Sequence, residues 1–236
     1  MPVATVNAGR EGYIWNGNSN WPDWPSARND PNGSAAFNYT FPTPSQFSIQ
    51  VGYQIGRGGP FYWVTRTYFY FDVTAYQGNI TSIDLNVDMA GGGTPLAIVA
   101  AKSTLAFGGN GLSALAVGEF DITVPSNPPP KYSGTFTNTA GIQTVTLDPL
   151  AVTDANANGF LIMQLVEEDY DYNDVDPTPF GTAVYEASIN FANGTNTLDV
   201  TYTVPGYGND VNDVATANIG KINDTGTANI SEVNDS

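Results

Sequence analysis

Apolar and polar residues alternate along most of this chain with a period of two. The longest such stretch is Trp63–Val73, β-branched or aromatic throughout except for Arg66 and Asp72. Alternation places Thr67, Phe69, Phe71 and Val73 on one face and Arg66, Tyr68, Tyr70 and Asp72 on the other. The first face can fill a core. The second carries hydroxyls and charges that need partners or water. A short polar link, 75–79, leads to Ile80–Asp88, where Ile83, Leu85, Val87 and Met89 alternate with Asp84, Asn86 and Asp88. That is the pattern of a half-buried strand.

The same reading predicts strands over Val3–Val6, Gly12–Trp15, Ala36–Phe41, Phe47–Tyr53, Leu96–Ala101 and Glu119–Val124. It continues with Tyr132–Phe136, Ile142–Leu147, Phe160–Val166, Ala183–Phe191 and Leu198–Val204. Leu96–Ala101 is wholly apolar and suits a strand buried on both faces. Arg66 is expected to pair with Asp72 or with a carboxylate from a neighbouring strand. Residues 16–34 form a loop too long and too aromatic to be a plain connection. Gly/Ala/Leu-rich residues 105–117 leave room for a short helix, and residues 148–155 for one or two helical turns. Many short strands with almost no helix read as an all-β, two-sheet sandwich.

The central pair also carries a resemblance. An Arg, an aromatic run ending Phe71-Asp72-Val73, a Gly78-Asn79 turn, then Ile80-Thr81-Ser82-Ile83-Asp84-Leu85 resembles the core of DNRLRE-type jelly-roll modules. Asp169-Tyr170-Asp171 and Leu198-Asp199-Val200-Thr201-Tyr202 are similar to that family's acidic loop and closing strand, with Thr197 where Pro is common. The resemblance spans roughly residues 5–204. It implies a jelly-roll-like β-sandwich used in phage virions, bacterial surface proteins and carbohydrate-binding modules; it does not imply an enzyme.

The composition changes after Pro205. Residues 1–205 read as the sandwich and 206–236 as a tail with an 11-residue repeat, in which Asn, Asp, Thr, Ala, Asn and Ile recur in register. Too few apolar residues are present for the tail to build a core alone. It is either a disordered polar tail or a docking segment whose Ile219, Ile222, Ile230 and Val233 fill pockets on a neighbour. The repeat is similar to short terminal repeats of phage structural proteins.

Charge narrows the partners. Seven Lys and Arg stand against 23 Asp and Glu, a formal net charge of −16. Such a surface repels nucleic acid and anionic membranes. No apolar run approaches the roughly 18 residues a membrane helix needs. The start shows no basic and apolar signal pattern. With an initiator Met, this favours release inside a virion over a secretory route.

The chain has no Cys and no His. Disulfides, His-assisted nucleophiles and the usual zinc sites are therefore out of reach. Glu is scarce and no pair of carboxylates stands out as a glycosidase pair.

One acidic run holds six acids between Glu167 and Asp176. Asp169, Asp171, Asn173 and Asp174 supply calcium-type oxygens, but Asp174 stands where an EF-hand requires Gly. A solvated acidic loop and a Ca²⁺ site are both open; no other cofactor is expected. Trp15 and Trp63 read as core. Trp21 and Trp24 either pin their loop or present flat faces to a glycan.

The expected function is a non-catalytic structural subunit of an extracellular assembly: a phage capsid decoration, head fibre or tail fibre. Its partners would be its own copies or other virion proteins, at the virion or extracellular surface. The alternative is a carbohydrate-binding or adhesive surface module that holds host glycans.

Overall fold

The computed structural model describes residues 1–18, 23–30, 33–38, 45–46, 49–56, 59–91, 95–120, 128–177, 183–191, 194–204, 221–222 and 225–226. The first half of the chain forms β1 (Val3–Asn7), β2 (Arg10–Asn18), α1 (Trp24–Arg28), β3 (Ala35–Asn38), β4 (Ser45–Gln46), β5 (Ile49–Gly56), β6 (Gly59–Asp72), β7 (Ile80–Gly91) and β8 (Ala97–Lys102). The second half forms β9 (Phe136–Thr137), β10 (Gly141–Thr146), α2 (Pro149–Asn158), β11 (Phe160–Glu167), β12 (Ala183–Phe191) and β13 (Thr197–Tyr202). Within the tail, β14 (Lys221–Ile222) pairs with β15 (Thr225–Gly226).

The protein is all-β, and every pairing among the described strands is antiparallel. β6 is the hub. Its flank is taken by β2 on one side and, end to end, by β5 and β11 on the other. The expected alternation of β7 holds: Ile83, Leu85, Val87 and Met89 are buried, and the polar residues between them are half-exposed.

The hydrogen bonds among β1–β13 do not divide into two separate sheets. They form one 13-stranded network in the order β1-β13-β7-β12-β5-β6-β11-β8-β9 with side branches. The join is β12. Ala183–Ala187 pair with β5, and the register then shifts at Ser188/Ile189, where the strand passes to β7. A bulge bends a strand and lets it leave one layer for another. Phe69 and Phe71 of β6, Leu85 and Val87 of β7, Met163 of β11 and Val200 of β13 therefore share one core.

The second face of β6, whose hydroxyls and charges need partners or water, is covered over much of its length. Tyr62, Val64 and Tyr68 lie in a second core with Trp24 and Ala27 of α1 and with Phe107, Leu115 and Phe120. The segment 103–120 and α1 form a lid over that face. Of the strand expected over Glu119–Val124, Glu119 lies in a 3₁₀ turn, Val117–Glu119, and 121–124 lie outside the described residues. The Glu119 carboxylate accepts from the backbone N–H groups of Phe107 (3.0 Å), Gly108 (2.8 Å) and Ala116 (3.0 Å). Phe107 has a left-handed backbone (φ 55°), and the carboxylate ties that turn down.

α2 is longer than the one or two turns expected. Pro149 opens it and Gly159 ends it at φ 75°, a left-handed position that suits Gly. Ala151 and Ala155 face the main core, and Asn156 exchanges two hydrogen bonds with the backbone of Ile80, both 2.9 Å.

Glu11 is the one acid of β2, and it is buried opposite Phe69. Its Oε1 accepts from Asn196 Nδ2 (3.2 Å), while Oε2 has no hydrogen-bond partner among the described residues. Burial pushes the carboxyl up to about 8, against the pull of Asn196. A raised folded-state value means that the stability owed to this group is full below about pH 4.5 and lost as pH rises through about 8. Glu11→Gln is expected to raise the melting temperature at about pH 9 and to leave it nearly unchanged at about pH 4. Equal losses at both pH values would show that the carboxyl itself is required.

Candidate functional site

The acidic run folds as a turn after β11, and most of its acids are committed inward. Glu167 caps that turn: its carboxylate accepts from the N–H groups of Asp169 (2.9 Å), Tyr170 (2.7 Å) and Asp171 (3.1 Å). Burial pushes Glu167 up to about 7 even so. Glu168 accepts from Lys131 Nζ at 2.5 Å and also from the Thr135 hydroxyl.

Asp171 is fully buried between two arginines. Arg66 donates to it twice, from Nε to Oδ2 (2.8 Å) and from Nη2 to Oδ1 (2.6 Å). Arg28 Nε lies 3.4 Å from Oδ1, and the same nitrogen donates to the Asp171 carbonyl at 2.5 Å. The Arg66 guanidinium also lies 4.1 Å from the centroid of Phe120. Arg66 thus finds its acid in the turn beyond β11, and Asp72 is exposed and accepts from Thr74 N–H instead (3.0 Å). The arrangement ties β6, α1, the turn and the lid together.

Two of the four candidate calcium ligands face arginine. Asp171 has its oxygens taken by guanidinium groups, and Asp174 lies 3.6 Å from Arg28. Asp169 and Asn173 are exposed and are not gathered with them. No cluster of three acidic residues that could hold a metal occurs among the described residues. A cation would have to displace two buried arginines to use Asp171.

The glycan reading of the aromatic loop is corrected at one residue. Trp24 is 1% exposed and packs near Tyr62, ring centroids 5.9 Å apart, so its face is closed to a ligand. Trp21 lies outside the described residues. Of the tail positions, Ile222 lies in β14, while Ile219, Ile230 and Val233 lie outside the described residues.

Two surface features were not expected. The first is a hydrogen-bonded row of side chains across four strands. Thr5 of β1 donates to Asp199 Oδ1 of β13 (2.7 Å), Asn86 of β7 donates to Asp199 Oδ2 (2.9 Å), and Thr144 of β10 donates to Asn86 Oδ1 (2.7 Å). Thr146 donates to Asp84 Oδ1 alongside (2.6 Å). The row ends at β1 and β10, each paired with only one strand among those described. Val3 and Ile142 are 60% and 65% exposed on these edges.

The second is a cleft of about 180 Å³ between β8, α2 and the start of β11. Lys102 Nζ donates to Asp154 Oδ2 at 2.7 Å, and the Tyr132 hydroxyl donates to the same oxygen at 2.5 Å. Burial, then the bond to Asp154, pushes the Tyr132 phenol far up, so it stays protonated. Asn158 and Phe160 complete the mouth. Positions 102, 132, 154, 158 and 160 show no local motif; only the fold brings them together.

No protein-family model matches the chain, and no curated protein matches it. The resemblance to DNRLRE-type modules therefore rests on the residues that carry it.

Proposed function

We propose that the chain is a non-catalytic structural subunit of an extracellular assembly, a virion component such as a capsid decoration, head-fibre or tail-fibre protein. The observation that carries this reading is the ordered polar face of β1, β13, β7 and β10. Side chains fixed by hydrogen bonds lose little entropy on contact, so such a face suits repeated packing against a neighbour. Its two edge strands offer backbone that is unpaired among the described residues, which a chain from another copy can extend by strand addition. The exposed Val3 and Ile142 would be covered by such an addition. The repeat tail, the acidic composition and the resemblance to phage modules support the same reading. So does the commitment of Glu167, Glu168 and Asp171 to internal ties.

The tail supplies the added strand. Deleting 207–236 is expected to leave the melting temperature within a few degrees. The same deletion is expected to abolish self-association, followed by light scattering across a concentration series. If the truncated chain unfolds, the tail belongs to the domain's own core. If it associates like the full chain, the tail is not the joining element and the assembly reading fails at this point.

A further inference from the structure

We infer that the cleft between β8, α2 and β11 is a binding site for a single neutral sugar ring. The inference does not depend on the assembly reading, because it concerns side chains within one folded copy.

The size fits. A volume of about 180 Å³ holds about six waters, the space of one monosaccharide ring. The charge fits as well. Lys102 and Asp154 neutralise one another at 2.7 Å, so the site has no net charge to offer an ion. An anion would meet the Asp154 carboxylate, and a cation would meet Lys102. A neutral ligand meets neither penalty.

Unused hydrogen-bonding capacity sets the ligand class. Both contacts to Asp154 fall on Oδ2, leaving Oδ1 to accept from outside. Lys102 spends one of three ammonium donors on Asp154. The Asn158 amide is exposed, has no hydrogen bond among the described residues, and offers both a donor and an acceptor. Adjacent hydroxyls on a ring each donate and accept, and this set answers both needs. Phe160 adds a half-buried aromatic ring, backed by Tyr70 at 5.9 Å between centroids. A backed ring gives the apolar face of a pyranose a fixed surface to lie against.

The test uses the full chain and five probes: glucose, galactose, mannose, N-acetylglucosamine and rhamnose, each up to tens of millimolar. Binding is read by saturation-transfer NMR and by titration calorimetry. At least one sugar is expected to bind and to perturb the Phe160 ring signals. Asn158→Ala, an exposed change that leaves the fold intact, is expected to weaken it about tenfold, as loss of a hydrogen-bonding partner does. Asp154→Asn is expected to weaken it at least as much. Should that variant melt early, Asn158→Ala carries the comparison alone. Failure of all five sugars to perturb Phe160 overturns the inference. So does binding that Asn158→Ala leaves unchanged. Competition by inorganic phosphate at equal concentration would reveal an anion site and overturn it too.

Discussion

Asp171→Ala is expected to destabilise the protein by about 3–5 kcal/mol, the cost of breaking a buried ion pair by removing one partner. The reason is what remains. Arg28 and Arg66 are fully buried, and Asp171 is the carboxylate that faces both. Without it, the two buried guanidiniums lose the carboxylate they share, where Arg66 Nη2 donates to the Arg28 carbonyl at 3.4 Å. In a chain of this size the loss corresponds to a fall in melting temperature of roughly 6–20 °C. Asp171→Asn keeps the shape and one acceptor and should fall between the unmodified protein and Asp171→Ala. Urea unfolding with matched m-values measures the loss. A change below about 1 kcal/mol would mean that water reaches the guanidiniums and that the tie between β6 and the turn is weak. The double variant Arg66→Met/Asp171→Leu should recover part of the loss, since apolar replacement of a whole buried pair is often neutral or better.

Phe71→Ala is expected to cost about 3–5 kcal/mol. Phe71 is fully buried in the main core, opposite Leu161 of β11, with its ring 5.9 Å from that of Phe69. The informative comparison is with the other face of β6. Tyr68 is equally buried, beneath α1 and the lid, and Tyr68→Ala should cost a comparable amount, about 3 kcal/mol or more. Tyr70 is only half-buried, so Tyr70→Ala should cost less than either. A near-neutral Tyr68→Ala would mean that the lid settles into the space left behind.

These two results turn on what a single sequence can and cannot display. The alternation of Ile83, Leu85, Val87 and Met89 is local, and it marked β7 because one face of that strand meets core and the other meets water. β6 alternates too, but much of its second face is also buried, under α1 and residues 103–120. That segment is rich in Gly, Ala and Leu, has no period, and contains a left-handed turn held by Glu119. Nothing local marks it as a cover. The acids from Glu167 to Asp176 looked alike along the chain. A single turn directs Asp171 inward to arginines 105 and 143 positions away, and leaves Asp169 outside. The cleft was invisible for the same reason: Lys102 ends β8, Asp154 sits on α2 and Tyr132 lies in the segment before β9, and they meet only in the folded chain.

The pairing of β1 with β13 sets a clock on biosynthesis. Thr5 and Asp199, joined across the two strands, are 194 positions apart. At 5–20 residues per second, a ribosome needs roughly 10–40 s to deliver the partner after the first strand has been made. Throughout that interval Val3–Asn7 has no ladder to join, and the flank of β7 that β13 will occupy stays open. The nascent chain therefore waits for β13 before β1 and β7 can be joined, and an interrupted message leaves two unpaired edges at once.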